Sequence, residues 1–328
     1  MSVGTATAGL PTMEEVRAAA ETVYRLMQPT PQYRWPQLGE RLGTEVWVKH
    51  ENHTPIGAFK ARTAIVYAEK LLQREPGTRG LIAATRGNHG QSVALAAQRK
   101  NLPCIIVVPH GNSVEKNAAM RAQGAKLIEH GEDFQSSLEH AIQLSVELGY
   151  HLVPPYHRDI VLGIATYWLE LFTAVPQLDV VYVPVGMGSG ICSAAAVRNA
   201  MGLHTKIVGV VSDQAPMYAI SFEQRKIVEA PAQTAIADGL ACRKGNEEAL
   251  QVMLQNVDHI VRVTDAEVAA AMRAFFTDTH NVVEGAGAAS LAAAVKEASA
   301  LKGKRVGLIA TGGNVDHDIF ARVLAAPA

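Results

Sequence analysis

What most constrains this chain is a series of short unbroken apolar runs, each separated from the next by a helical pattern. Leu81-Ile82-Ala83-Ala84, Cys104-Ile105-Ile106-Val107-Val108, Lys126-Leu127-Ile128 and His151-Leu152-Val153 follow one another in this way. Val180-Val181-Tyr182-Val183-Pro184, Ile207 to Val211, His259 to Val263 and Val306 to Ala310 continue the series. A strand with one wet face alternates in polarity, whereas a strand covered on both faces is apolar throughout, as in parallel sheets flanked by helices. Strand–helix alternation along the whole chain therefore predicts an α/β fold with parallel-rich sheets covered by helices. Helices are expected over Gly90 to Lys100, Val114 to Gln123, Phe134 to Leu148, Ile160 to Ala174 and Ile191 to Ala200, with an alanine-rich one over Glu284 to Leu301. Thr12 with Glu15, and Thr264 with Glu267, have the spacing of capping boxes and mark two further helix starts. Pro154-Pro155 punctuates the series, which suggests a small domain over residues 81–153 set between the parts of a larger one, residues 1–80 and 154–328.

Composition narrows the function. The net charge is −1 with 19% charged residues, so the surface has no field to attract nucleic acid, an anionic membrane or a polyanion. A small molecule is the expected partner. Met1 to Thr12 lacks a basic start followed by an apolar stretch, and no run of roughly 18 apolar residues occurs, so a cytoplasmic protein is expected. Cys104, Cys192 and Cys242 are odd in number, widely spaced and set in or beside apolar segments. They read as small buried hydrophobes rather than a disulfide framework or a zinc site.

Several loops carry residue types that do chemistry. Pro55-Ile56-Gly57-Ala58-Phe59-Lys60-Ala61-Arg62 follows the alternating strand Val46 to Lys49 and opens the helical pattern Ala64, Ile65, Ala68, Leu71. Apolar neighbours Ala58 and Phe59 strip hydration from Lys60 and lower its pKa, so a neutral amine can attack a carbonyl carbon and carry a cofactor. On this stretch alone, a lysine snorkelling from a helix start reads equally well. Thr85-Arg86-Gly87-Asn88-His89-Gly90-Gln91 follows a strand and opens a helix, where free N–H groups favour an anionic oxygen such as a substrate carboxylate. Asn88 adds amide donors for a phenolic or carboxylate oxygen. Gly186-Met187-Gly188-Ser189-Gly190 has the same context, and its glycines let successive N–H groups converge on a phosphate. An NAD loop competes, because Asp213 ends the next strand, but the third glycine of the dinucleotide fingerprint falls at the bulky Ile191. Thr311-Gly312-Gly313-Asn314-Val315-Asp316 ends the last strand, and a threonine hydroxyl there can meet a ring nitrogen while leaving it largely neutral; a plain strand-ending turn is the other reading.

Taken together and in order, these stretches resemble the fold-type II pyridoxal-phosphate enzymes, the tryptophan synthase β-like fold, and within them the serine/threonine dehydratase and serine racemase group. The resemblance runs from about Pro29 to Phe320. It implies pyridoxal 5′-phosphate in a Schiff base with Lys60, between Phe59 and Gly239. It further implies Asn88 on the ring's 3-oxygen, Gly186, Met187, Gly188, Ser189 and Gly190 around the phosphate, and Thr311 on the pyridine nitrogen. Thr85, Arg86, Asn88 and His89 would line the substrate carboxylate pocket, and Glu284 would lie near the cofactor, although a helix N-cap accounts for Glu284 nearly as well. The implied activity is an ammonia-lyase converting a β-hydroxy amino acid to a 2-oxo acid and ammonia. Serine, threonine, 3-hydroxyaspartate, phenylserine and a hydroxyectoine-derived amino acid are all candidates. The family suggests a homodimer.

Three departures qualify the resemblance. Arg86 stands where racemase resemblance would put a serine acid, and a permanently protonated guanidinium is a poor proton shuttle, so racemisation is demoted. Val211 and Met217 occupy the positions of the racemase branch's divalent-metal acids, and neither can ligate a hard cation, so no metal is expected there. Ala58 and Thr63 replace the usual serine and glycine around the lysine. The chain also stops soon after Asp316, leaving no room for an appended regulatory domain, which suggests a catabolic enzyme. β-Replacement of the cysteine synthase kind, an NAD-linked oxidoreductase and a non-catalytic amino-acid binder remain as alternatives.

Overall fold

The structure, a computed structural model, describes residues 9–326; most of the N-terminal stretch read above for a leader lies outside them. Its strands are β1 (Gln32–Arg34), β2 (Glu45–His50), β3 (Leu81–Ala84), β4 (Cys104–Val108), β5 (Lys126–Glu129), β6 (His151–Leu152), β7 (Val180–Pro184), β8 (Lys206–Ser212), β9 (His259–Val263) and β10 (Arg305–Ala310). The helices up to the middle of the chain are α1 (Met13–Tyr24), α2 (Pro36–Leu42), α3 (Lys60–Arg74), α4 (Asn88–Arg99), α5 (Val114–Ala122), α6 (Phe134–Leu148) and α7 (Arg158–Ala174). Beyond them come α8 (Ser189–Ala200), α9 (Met217–Gln224), α10 (Glu247–Asn256), α11 (Asp265–Thr279), α12 (Gly285–Lys296) and α13 (His317–Ala325).

The strands form two sheets. One has six strands in the order β1-β2-β10-β7-β8-β9, and the other has four in the order β5-β4-β3-β6. All neighbours run parallel except β1 against β2, so the α/β reading with parallel-rich sheets holds. Of the apolar runs, β3 and β4 are buried throughout, β7 is buried but for a half-buried Pro184, and β8 is exposed only at Lys206, whereas β5, β6 and β9 stand at sheet edges and are only partly buried, contrary to the expectation of cover on both faces. Both capping boxes form, at Thr12 before α1 and at Thr264 before α11. The alanine-rich helix is shorter than expected. It starts at Gly285 with Glu284 as N-cap and gives way to a 3₁₀ turn over Ala298–Leu301. Among the described residues, no helix is long and apolar enough to cross a membrane.

Beneath the start of α3 lies a charged cluster no apolar pattern announces. Arg62 is fully buried and donates from Nε to Glu51 Oε2 at 2.8 Å, and from Nη1 to Glu170 Oε1 at 2.6 Å and Thr166 Oγ1 at 3.0 Å. Lys49, also fully buried, donates to Glu170 Oε2 at 2.5 Å and to the Thr30 carbonyl at 2.6 Å. Two cations and two carboxylates balance, which is the condition for keeping charge inside a fold. Burial alone would lower the Arg62 pKa, but Glu51 and Glu170 hold it above its ordinary value.

Candidate active site

Four loops that follow strand ends converge between the two sheets, where α/β proteins place their ligands. The first carries Lys60. After β2, Thr54 Oγ1 donates to the Ala58 carbonyl at 2.7 Å and accepts from the Ala58 N–H at 2.9 Å, closing a tight loop. Gly57 turns it at φ +65°, a left-handed conformation that favours glycine. This loop is zipped to the one after β10: Phe59 N–H donates to the Thr311 carbonyl, and Gly313 N–H to the Gly57 carbonyl, both at 2.9 Å, around a bridge between Ala58 and Gly312.

Lys60, the first residue of α3, holds its Nζ 4.8 Å from the Phe59 ring centroid. Burial pushes its pKa down, opposed by Cys242 and Glu284. The Phe59 ring is itself fixed edge-on against Tyr167, with centroids 6.4 Å apart.

In the second loop, Gly87 N–H donates to Thr85 Oγ1 at 3.1 Å, and Asn88 begins α4. Asn88 Nδ2 donates to Glu284 Oε1 at 2.7 Å. Burial, then Lys60, lower the His89 pKa to about 4, so this imidazole is neutral. Arg86 differs from its loop neighbours: it is exposed and opens onto a cavity of about 350 Å³ that Lys116, Asp238, Glu284 and Asp316 also line.

The third loop, Gly186 to Gly190, leads into α8. A Cβ at Gly186 would lie 2.5 Å from the Gly239 carbonyl oxygen, and one at Gly188, where φ is +95°, would lie 2.7 Å from Ala249 Cβ. Both glycines are therefore required by the close packing of this loop, which leads into the N-terminal amides of α8. The close helix-to-strand approach is made by Gly209 on β8, where an added Cβ would meet Ile191 Cδ1 at 3.2 Å. That reverses the arrangement of a dinucleotide fingerprint, in which the helix supplies the glycine.

In the fourth loop, Thr311 is buried beside Glu284, and a Cβ on Gly312 would come within 2.6 Å of Glu284 Oε1. Burial and the Asp238 charge raise the Glu284 pKa to about 7. Gly239 follows Asp238 in a 3₁₀ turn over Asp238–Leu240. Lys116 on α5 reaches across to that turn, its Nζ 2.5 Å from Asp238 Oδ2, and Ser113 Oγ donates to Asp316 Oδ1 at 2.6 Å. These contacts join the four-stranded side of the cleft to the six-stranded side.

Three residues were not foreseen as site residues. Cys242, read as an ordinary buried hydrophobe, sits close enough to Lys60 to act on its charge, and burial pushes its own thiol up to about 11. Lys116 lies in a helix given no role in the site, and Asn314 in the Thr311 loop, where only the threonine was assigned a part. Val211 and Met217 are buried in the core.

Comparison with known proteins agrees with this geometry. The family model for pyridoxal-phosphate dependent enzymes matches residues 23–312. The L-threo-3-hydroxyaspartate ammonia-lyase of Saccharomyces cerevisiae is 33% identical over 317 residues, covering 96% of this chain and 97% of that protein. The L-threonine ammonia-lyase of Thermotoga maritima is 31% identical over 314 residues, covering 95% of this chain and 78% of that one. Among solved structures, maize serine racemase superposes with a TM-score of 0.88 at 27% identity, covering 96% of this chain and 97% of that one.

Proposed function

This chain belongs to the pyridoxal-phosphate dependent enzymes, and on that premise we propose that it releases ammonia and a 2-oxo acid from a β-hydroxy amino acid, with Lys60 as the residue that carries the cofactor. The observation that carries this reading is a desolvated amine at a helix start, in a chain that also holds a glycine loop leading into the α8 N-terminus, with Gly186 packed against the Gly239 turn. The residues fit pyridoxal 5′-phosphate: the amides of Gly186 to Gly190 suit its phosphate, Asn88 an oxygen on the ring, and Thr311 a ring nitrogen. Phe59 and Gly239 would flank the ring. Bound there, the cofactor supplies a conjugated ring that takes up the electron pair of a Cα–H bond.

The chain's own groups supply the rest. Lys60, once free, removes the Cα proton as general base, a role contributing about 10²–10⁴-fold. The neutral His89, with Thr85, Arg86 and Asn88, binds the substrate carboxylate at the α4 N-terminus. Departure of the β-hydroxyl as water, and uptake of one water as ammonia leaves, balance the reaction. Residues 81–153 act as a small domain that closes over this cleft and keeps bulk water out, with residues 1–80 and 154–328 as the larger domain. Substrates of the threonine or 3-hydroxyaspartate type follow from what the relatives are named for. A cytoplasmic homodimer is the form we propose.

The test is direct. Borohydride reduction of the loaded protein followed by peptide mapping should place the cofactor on Lys60, and Lys60→Ala should release no ammonia from any β-hydroxy amino acid. Label elsewhere, or substantial turnover by the variant, would overturn the reading.

A further inference from the structure

Asn314 stands where three site loops meet. Its backbone belongs to the loop after β10, and its Nδ2 donates to the Ile56 carbonyl at 2.8 Å and to Asn88 Oδ1 at 2.8 Å. One amide nitrogen thereby joins the Lys60 loop, the start of α4 and the Thr311 loop. Gly57 makes room for it: a Cβ there would lie 2.9 Å from Asn314 Oδ1.

The geometry also decides which way the Asn88 amide faces. A backbone carbonyl can only accept, so the Asn314 atom against the Ile56 oxygen must be the nitrogen. That nitrogen also faces Asn88 and requires an oxygen there. Asn88 must then turn its own NH₂ the other way, into the site, where it donates to Glu284 Oε1 at 2.7 Å. Without Asn314, the two orientations of the Asn88 amide would be distinguished only by Glu284, whose raised pKa leaves it able either to donate or to accept.

We propose that Asn314 is a positioning residue that fixes the Asn88 amide with its N–H, rather than its carbonyl, toward the cofactor oxygen. This rests on the assignment of Asn88 to that oxygen. Donation there stabilises the oxygen's anionic form; a carbonyl in its place would repel it. Asn314→Asp offers only acceptors when ionised, favours the reversed Asn88 amide, and is nearly isosteric. Asn314→Ala removes the preference.

The experiment compares wild type, Asn314→Asp, Asn314→Ala, Asn88→Ala and the Asn88→Ala/Asn314→Ala double variant. Cofactor affinity is read by titration of the cofactor-free protein, the absorption spectrum of the loaded protein is followed with pH, and cofactor-free unfolding serves as a folding control. Asn314→Asp should weaken cofactor binding about tenfold, equivalent to about 1.4 kcal/mol. It should also move the pH midpoint of the cofactor's absorption change upward. In the Asn88→Ala background, loss of Asn314 should add nothing to the spectral change, because there is no amide left to orient. An unchanged spectrum and midpoint in Asn314→Asp, or fully additive effects in the double variant, would overturn the inference while leaving the lysine assignment standing. A wild type that takes up no cofactor would overturn both.

Discussion

Arg62 lies two positions past Lys60, and replacing it with methionine tests whether the buried cluster holds the α3 start in place. Methionine fills similar volume but removes the cation, so the cluster changes from two cations facing two carboxylates to Lys49 facing Glu51 and Glu170. Glu51 is fully buried and keeps only Thr30 as a hydrogen-bond partner, at 2.5 Å. Breaking a buried pair and stranding one charge costs about 3–5 kcal/mol. With about 2.1 cal/mol/K per residue for unfolding, a chain of 328 residues changes stability by about 0.7 kcal/mol per degree near Tm. The expected fall in Tm is therefore about 4–7 °C, measured by calorimetry on the cofactor-free protein at neutral pH. Adding Glu51→Gln restores one cation facing one carboxylate and should recover a substantial part of the loss; such non-additivity is the signature of a shared network. A drop under about 1 °C, or a double variant worse than the sum of its singles, would refute the argument that charge balance keeps this cluster folded.

Three further outcomes are expected. Cofactor-free Glu284→Gln should unfold at higher urea than wild type above pH 7, by up to about 3 kcal/mol. A carboxyl raised from 4.5 to about 7 in the folded state makes wild type lose stability as pH climbs through that interval, so the two proteins should converge below about pH 4.5; parallel pH profiles would contradict this. Gly186→Ala should weaken cofactor binding at least tenfold, since its methyl group would lie 2.5 Å from the Gly239 carbonyl, and equal affinity by titration would remove the phosphate cradle from that loop. Lys116→Met should raise KM about fivefold with little change in kcat, the worth of roughly 1 kcal/mol in a partly exposed ion pair. A fall in kcat alone would show that Lys116 does not hold the cleft together.

Local pattern made most of the scaffold legible. β3, β4 and β7 occupy the residues their apolar runs mark, because a strand covered on both faces has no other composition open to it; β9 also lies where its run is marked, although as an edge strand it is only partly buried. β1 was missed: Gln32 to Arg34 is a short, polar edge strand running antiparallel, and neither alternation nor an apolar run betrays it. The alanine-rich helix was drawn too long, since propensity alone does not register the change to a 3₁₀ turn at Ala298. In the site, Lys60 and the glycine loops were legible because each depends on its own neighbours. Asn314, Lys116 and Cys242 were not, because their importance comes from partners more than a hundred positions away. Arg86 drew notice in the sequence as a departure from the family pattern, but its exposure beside the cavity was beyond the reach of sequence.

The zipper between the Gly57 and Thr311 loops has a bearing on how the protein is made. Ile56 and Asn314 are 258 positions apart, and β2 borders β10 in the sheet. At about 5–20 residues per second on the ribosome, roughly 13–50 s pass between the emergence of the lysine and that of the segment that clasps it. For all that time the nascent β2 edge lacks its β10 neighbour, so closure of the Gly57 loop is one of the last events of folding rather than a seed for it.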